Sequence, residues 1–394
     1  MQTLLRTFPC LLFLAAGSHL LADHNPLDCS RRSLADRLER AREGETISFT
    51  GICLEPITIR TDGLTVKGIG SAVIDGQGKQ VVTIDGALRI TLENIEIRNG
   101  TNGIVVQNGG HASLSDVTAH DNALSGLSLQ TKSSVVLEAV TVRNNLLHGL
   151  DMQTGSAATV TGVFAATNNR VFGMNVNGSS LTLSRATVTA SGNALGIQIA
   201  TGANVFLNDS SSVINASSNL STGLTVVSGA QLVSFGGTIN ALDNRANGVS
   251  VNSKAGLDLD AGSAINASGN MGNGVVLQQQ SVMTVFNNPM VSGVPGFSMI
   301  RSTGNGGNGV GVLTSSTLTL VNQARIVSTG NRVGLFADNG SAATIRNTEL
   351  TGNTAFDLQM TFGVRADLQS LTLGTWSCDA TVIVRGANAV ACPH

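Results

Sequence analysis

Residues 134–152 read SVVLEAVTVRNNLLHGLDM. From Val135 to Val142 apolar and polar side chains alternate with one slip, the period of a strand with one buried and one wet face. The pair Asn144-Asn145 breaks that pattern. Asparagine tolerates left-handed backbone and its amide bonds neighbouring main chain, so the pair marks a tight turn. Gly149 follows, and after it Leu150 and Met152 flank Asp151 in a second alternating stretch. The unit is strand, turn, strand, with no helical period, and it is too small to bury its own apolar side.

The unit recurs. Glycines stand at 103, 126, 149, 173, 196, 223, 248, 274, 309 and 334, and Asp357 holds the slot of an eleventh copy. After each landmark the first and third positions are apolar, from Ile104 and Val106 to Leu358 and Met360. Four places before it stands Asn99, Asn122, Asn145, Asn169, Asn219, Asn244, Asn270, Asn305 or Asn353, and in the other two copies Asn193 and Asn331 lie one place later. The period is roughly 25 residues, within the range of stacked repeats. Such units must stack, each strand pairing in parallel with its counterpart about 4.8 Å away. The fold class is therefore all-β, a solenoid forming a rod roughly 60 Å long.

The interval and the Asn/Gly turns resemble the right-handed parallel β-helix of the pectin-lyase-like superfamily, over roughly residues 45 to 375. That resemblance implies a site on the outer face of the rod beside one stacked sheet. In pectin-degrading members the site uses clustered aspartates, often Ca²⁺ in the lyases, and Arg or Lys. The polygalacturonases add an Asp-Asp pair, a Gly-His-Gly and an Arg-x-Lys. None of these three motifs occurs here, so no catalytic residue carries over. No cofactor is expected, and Ca²⁺ enters only under a lyase reading.

Composition agrees with a rod and excludes some partners. The 394 residues carry 23 Lys+Arg against 25 Asp+Glu, a net charge of −2, which gives no overall pull toward nucleic acid or an anionic membrane. Hydrophobic residues at 42% suffice for a core. Aromatic residues are only 3%, with one Trp and no Tyr, which leaves few platforms for sugar rings. Length alone would suggest two or three domains; the repeat replaces that expectation with one continuous unit.

The N-terminus, MQTLLRTFPCLLFLAAGSHLLADHN, has Arg6 ahead of an apolar run from Phe8 to Ala16 that is too short to span a bilayer. Residues 1–22 read as a signal peptide, so the protein is expected to be exported, periplasmic or secreted, not membrane-spanning, and a monomer. Four cysteines remain in an oxidising compartment. The ends of a long rod cannot meet, so Cys29 is expected to pair with Cys53, and Cys378 with Cys392. There is no CxxC and no paired His spacing, so no metal site is expected. Residues 23–50 read as an N-terminal cap in which Ser33 starts an amphipathic helix with Leu34, Leu38 and Ala41 inward. Residues 51–375 form the β-helix, and 376–394, with Trp376, a disulfide-closed C-terminal cap. The copy between Gly274 and Gly309 is about ten residues longer, and its segment NNPMVSGVPGFSM reads as an emergent loop.

Register offers one candidate ligand-binding patch. His120 and Arg143 should lie one above the other, with Arg98 joining them. On the following strand Asp151 points outward with His148 beside the turn, and Gln107, Gln130 and Gln153 should stack at the next outward position. A patch of His120, Arg143, His148, Asp151, Gln130 and Gln153 would use His148 or Asp151 as base, Arg143 for an acidic group and the glutamines for hydroxyls. These readings favour an exported β-helix of binding or envelope-interaction type, with a polysaccharide or envelope component as partner. The alternative is a lyase, hydrolase or epimerase acting on an acidic polysaccharide.

Overall fold

The computed structural model describes residues 25–153, 155–287 and 296–386; the expected signal peptide lies outside them. The chain winds as a parallel β-solenoid whose coils present three faces. Typical first-face strands are Ala157–Val160, Ser180–Leu183 and Asn204–Leu207. Second-face strands are Val163–Thr167, Thr187–Ser191 and Val213–Asn215. The third face holds the strands that carry or follow the landmark, such as Phe172–Asn177, Leu195–Ala200 and Leu224–Val227. Each strand pairs in parallel with its counterpart on the next coil.

The third face is one sheet of 14 strands, from Ile57–Ile59 to Trp376–Cys378. The first and second faces merge into a 25-stranded sheet because some coils use one long bent strand for both. Ser134–Arg143 is such a strand, pairing with Ala157–Val160 before its bend and with Val163–Thr167 after it. The bend falls at Ala139, whose φ is +54°. Inside the rod the first apolar residue after each landmark forms a file, Ile104, Leu127, Leu150, Met174 and onward to Leu358, each essentially without solvent contact. Burial at about 25 cal/mol per Å² of apolar surface, shared between coils, holds the stack together.

The repeated asparagines form a buried ladder. Asn122 Nδ2 donates to Asn145 Oδ1 at 2.9 Å, and the backbone N–H of Asn122 donates to the same oxygen at 3.1 Å. Asn145 repeats the pattern onto Asn169, and the ladder continues through Asn193, Asn219, Asn244, Asn270, Asn305 and Asn331 to Asn353. Most rungs also bond backward, as Asn169 Nδ2 does to Val142 O at 3.2 Å. Asn193 and Asn331 join the file although they lie one residue nearer the landmark. Asn99 does not join it. Its φ of +57° matches that of Asn144, the residue before a rung, and its amide bonds Asp75 at 2.7 Å while the N–H of Gly100 donates to Asn122.

The ladder explains the landmark glycines. A Cβ on Gly149 would lie 2.5 Å from Gly173 O and 2.8 Å from Asn169 Nδ2, so the next coil's rung leaves no room for a side chain. Their requirement is space, since none of them has a positive φ.

At the N-terminal end, Ser33 caps the helix Leu34–Glu39 by accepting from Asp36 N at 3.0 Å. Glu55, from the first coil, accepts from Leu34 N at 2.6 Å and from Ser33 Oγ at 2.7 Å, so the coil itself caps the helix. Leu34 and Leu38 are buried against the core. The Cys29–Cys53 disulfide, with Cα atoms 4.9 Å apart, pins this cap. The stack already begins at Thr46–Thr50, on which Leu27–Asp28 pairs. At the far end Trp376 lies in register with Leu358 and packs on the core as part of the last third-face strand. Strand Ile383–Arg385 adds to the first face. Cys392, the expected partner of Cys378, lies outside the described residues. So do Pro289, Met290 and Pro295 of the longer copy, whereas Phe297 lies under the Arg325 guanidinium at 5.9 Å.

Candidate functional site

The charges of the rod gather on its early coils. Arg60 pairs with Asp85, Lys67 with Glu93, and Arg89 with Glu43. On the outward side of the second face, Arg98, His120 and Arg143 stack in register, and two positions earlier Glu96, Thr118 and Thr141 form a parallel row. Parallel pairing brings side chains of the same outward parity together on successive coils.

Within this patch Arg98 reaches Asp75 at 3.2 Å and Glu96 at 2.7 Å. Burial opposes charge on Asp75, but hydrogen bonds from Asn99, Gln77 and Arg98 outweigh it and hold the carboxyl below the usual range. His120 is buried between two carboxylates, with Nδ1 2.6 Å from Asp121 Oδ2 and Nε2 3.2 Å from Glu96 Oε1. The Glu96 contact has ion-pair distance without hydrogen-bond alignment, so buried Nε2 lacks a hydrogen-bond partner. Arg143 makes no ion pair or side-chain hydrogen bond among the described residues. It borders a shallow depression of about 320 Å³ shared with Ser71, Asn94, Glu96, Thr118 and Thr141.

The remaining candidates lie across the asparagine turn, on the third face. Asp151 is buried and engaged, accepting from Gln153 Nε2 at 2.6 Å and from Asn175 Nδ2 at 2.8 Å. His148 stacks on Phe172, with centroids 4.9 Å apart. Burial pushes the His148 pKa down, partly offset by the negative charge of Asp151. The three glutamines build no amide ladder: Gln107 bonds Asp85, Gln130 turns back to Ser128, and Gln153 to Asp151. Among the described residues, no hydrogen bond or ion pair links His120 or Arg143 to His148 or Asp151. The structure thus divides the six residues into two groups, and the second-face group gains Glu96, Asp121, Thr118 and Thr141.

Among the described residues no group of three or more His, Cys, Asp or Glu side chains is placed to hold a metal ion. No helix there is long and apolar enough to cross a membrane.

The family of the right-handed β-helix region matches residues 57–195 and 102–271. The chain belongs to this family. No curated protein matches it in sequence. Among solved structures it is similar to the A-module of mannuronan C-5 epimerase AlgE6 of Azotobacter vinelandii, at 11% identity and a TM-score of 0.42, covering 91% of this chain and 94% of that one. The A-module of AlgE4 from the same organism gives 14% identity and 0.40, over 91% and 92%. An alginate lyase from Paenibacillus sp. str. FPU-7 gives 12% and 0.31, over 91% and 97%. These likenesses concern the fold alone.

Proposed function

We propose that the protein is an exported rod, periplasmic or secreted, that binds an acidic polysaccharide across its second face at the coils carrying Glu96, His120 and Arg143. The observation that carries this reading is the guanidinium of Arg143. It stands without a counter-ion beside a polar depression, whereas Arg60, Arg89 and Arg98 nearby are all paired. An unpaired arginine offers two parallel N–H donors to a carboxylate, and the threonine row beside it offers hydroxyls to a sugar ring. A convex rod with a shallow site suits an extended polymer, which contacts several coils at once. The Cys29–Cys53 disulfide is compatible with an oxidising compartment.

Calorimetric titration with a panel of uronate polymers tests this reading. Arg143→Ala is expected to weaken binding by about tenfold or more, the loss of one charge-assisted pair. Undiminished binding in that variant would refute it.

A second reading is favoured by the Glu96–His120–Asp121 arrangement. Asp121 fixes one imidazole nitrogen and leaves Nε2 toward Glu96, an arrangement suited to moving a proton at a sugar carbon bearing an acidic group. On this reading the protein is a lyase or epimerase. Incubation with the same polymers, following unsaturated-product absorbance and epimer composition, should then show turnover that Glu96→Gln removes.

A further inference from the structure

The corner of the rod between its second and third faces carries a second surface, which the proposed polysaccharide site does not use. Immediately after each ladder asparagine the chain turns outward. That position is held by Ala123, Leu146, Arg170, Ala194, Leu220, Arg245, Met271, Gly306, Arg332 and Thr354 on successive coils. Leu146, Leu220 and Met271 are 56%, 57% and 71% exposed, unusually open for large apolar side chains. Beside them Leu124, Leu147, Val171 and Leu195 form a parallel apolar file, joined by backbone hydrogen bonds from Leu147 to Leu124, Val171 to Leu147 and Leu195 to Val171.

Arg170, Arg245 and Arg332 are exposed, and none makes an ion pair or side-chain hydrogen bond among the described residues. They recur every third coil, about 14 Å apart at the spacing of stacked strands. The acidic groups nearest in sequence are Asp151 for Arg170, Asp243 for Arg245 and Asp338 for Arg332; Asp151 is taken by Gln153 and Asn175, and none of the three makes an ion pair with its arginine. The net charge of −2 hides this arrangement, because many of the acidic side chains are paired on the early coils.

We propose that this corner is a docking edge for an anionic lipid bilayer, along which the rod lies lengthwise. The edge is straight and convex, so it cannot enclose a small ligand. A flat surface can meet all of it. Unpaired arginines match lipid phosphates, while exposed Leu and Met side chains between them match the boundary of the acyl region. A soluble polyanion would satisfy the arginines but would give the leucines nothing.

The test is co-sedimentation of the full chain with phosphatidylcholine vesicles, with and without one third phosphatidylglycerol. Binding is expected only to the anionic vesicles, and it should weaken with salt. The triple variant Arg170→Gln, Arg245→Gln, Arg332→Gln should bind roughly a hundredfold more weakly, about fivefold per arginine. The triple variant Leu146→Ser, Leu220→Ser, Met271→Ser should lose about tenfold or more. A control with the same charge removed elsewhere, Arg185→Gln, Arg301→Gln, Arg365→Gln, should keep its affinity. Absence of binding to anionic vesicles overturns the proposal, as does an equal loss in the control. Full binding after removal of the aliphatic side chains overturns the part of the proposal that seats Leu146, Leu220 and Met271 at the acyl boundary.

Discussion

Asn353 Nδ2 donates to Asp357 Oδ1 at 2.8 Å, and the backbone N–H of Asn353 donates to the same oxygen at 3.0 Å. Asp357 therefore does for the last rung what the next coil's asparagine does for every other. Its second oxygen accepts from Thr375 N at 2.8 Å. The one landmark slot without glycine is the slot where no further rung needs the space, and a carboxylate fills it.

Replacing Asp357 with Gly would restore the repeat's pattern and remove this termination. The variant is expected to lose about 2–3 kcal/mol, because the part-buried donors of Asn353 and Thr375 lose an ionised acceptor. Urea denaturation of the two proteins measures the difference. Neutral stability would show that the acceptor is dispensable.

Acid should act on the same group. Burial opposes the Asp357 charge, yet its bonds from Asn353 and Thr375 outweigh that and hold its pKa below the usual value, as happens at Asp75. A lowered folded pKa means stability present above the unfolded value of about 3.9 and lost as pH falls through the folded one. Wild-type stability should fall through this acid window more steeply than that of Asp357→Asn, which can be followed by circular dichroism.

His148 should act in the same direction, but in a window nearer neutral pH. Its folded pKa is lowered by burial, so the neutral ring favours folding, and stability declines as pH drops below the unfolded value of about 6.5. His148→Phe, which keeps a ring to stack on Phe172, should flatten that decline. An NMR titration of the His148 ring showing an ordinary or raised pKa would contradict this.

Glycines of two kinds should respond differently to alanine. Gly149→Ala drives a methyl into Gly173 O and Asn169 Nδ2, and a loss of about 3 kcal/mol is expected, the scale of overpacking with a disturbed rung. Gly202, with φ +69° and open space around it, should lose only about 1 kcal/mol, from backbone strain alone. Thermal unfolding of both variants tests the ordering.

Much of this was legible because stacking turns sequence spacing into spatial neighbourhood. The eleven landmarks, the inward file and the Arg98, His120, Arg143 column all follow from register. Glu96 could have been read the same way, since it occupies the outward row of Thr118 and Thr141. Asn99 stands outside the ladder because distance to the glycine does not define a rung; the left-handed residue before it does. Glu55 is not legible from spacing, because its partners at the helix start lie about 20 residues away in sequence and meet it only through the cap. The glutamines share a register, but their rotamers send each amide to an acid or hydroxyl, a choice that spacing does not encode.

The ladder also bears on how such a molecule changes size over generations. Each coil asks of its neighbour only an amide in the right place and a bare α-carbon, so duplication or deletion of a complete turn leaves every joint of the same kind as before. Asp357 acts as the stop at the end of that ruler: segments gained upstream of it would lengthen the shaft and leave its terminus unaltered.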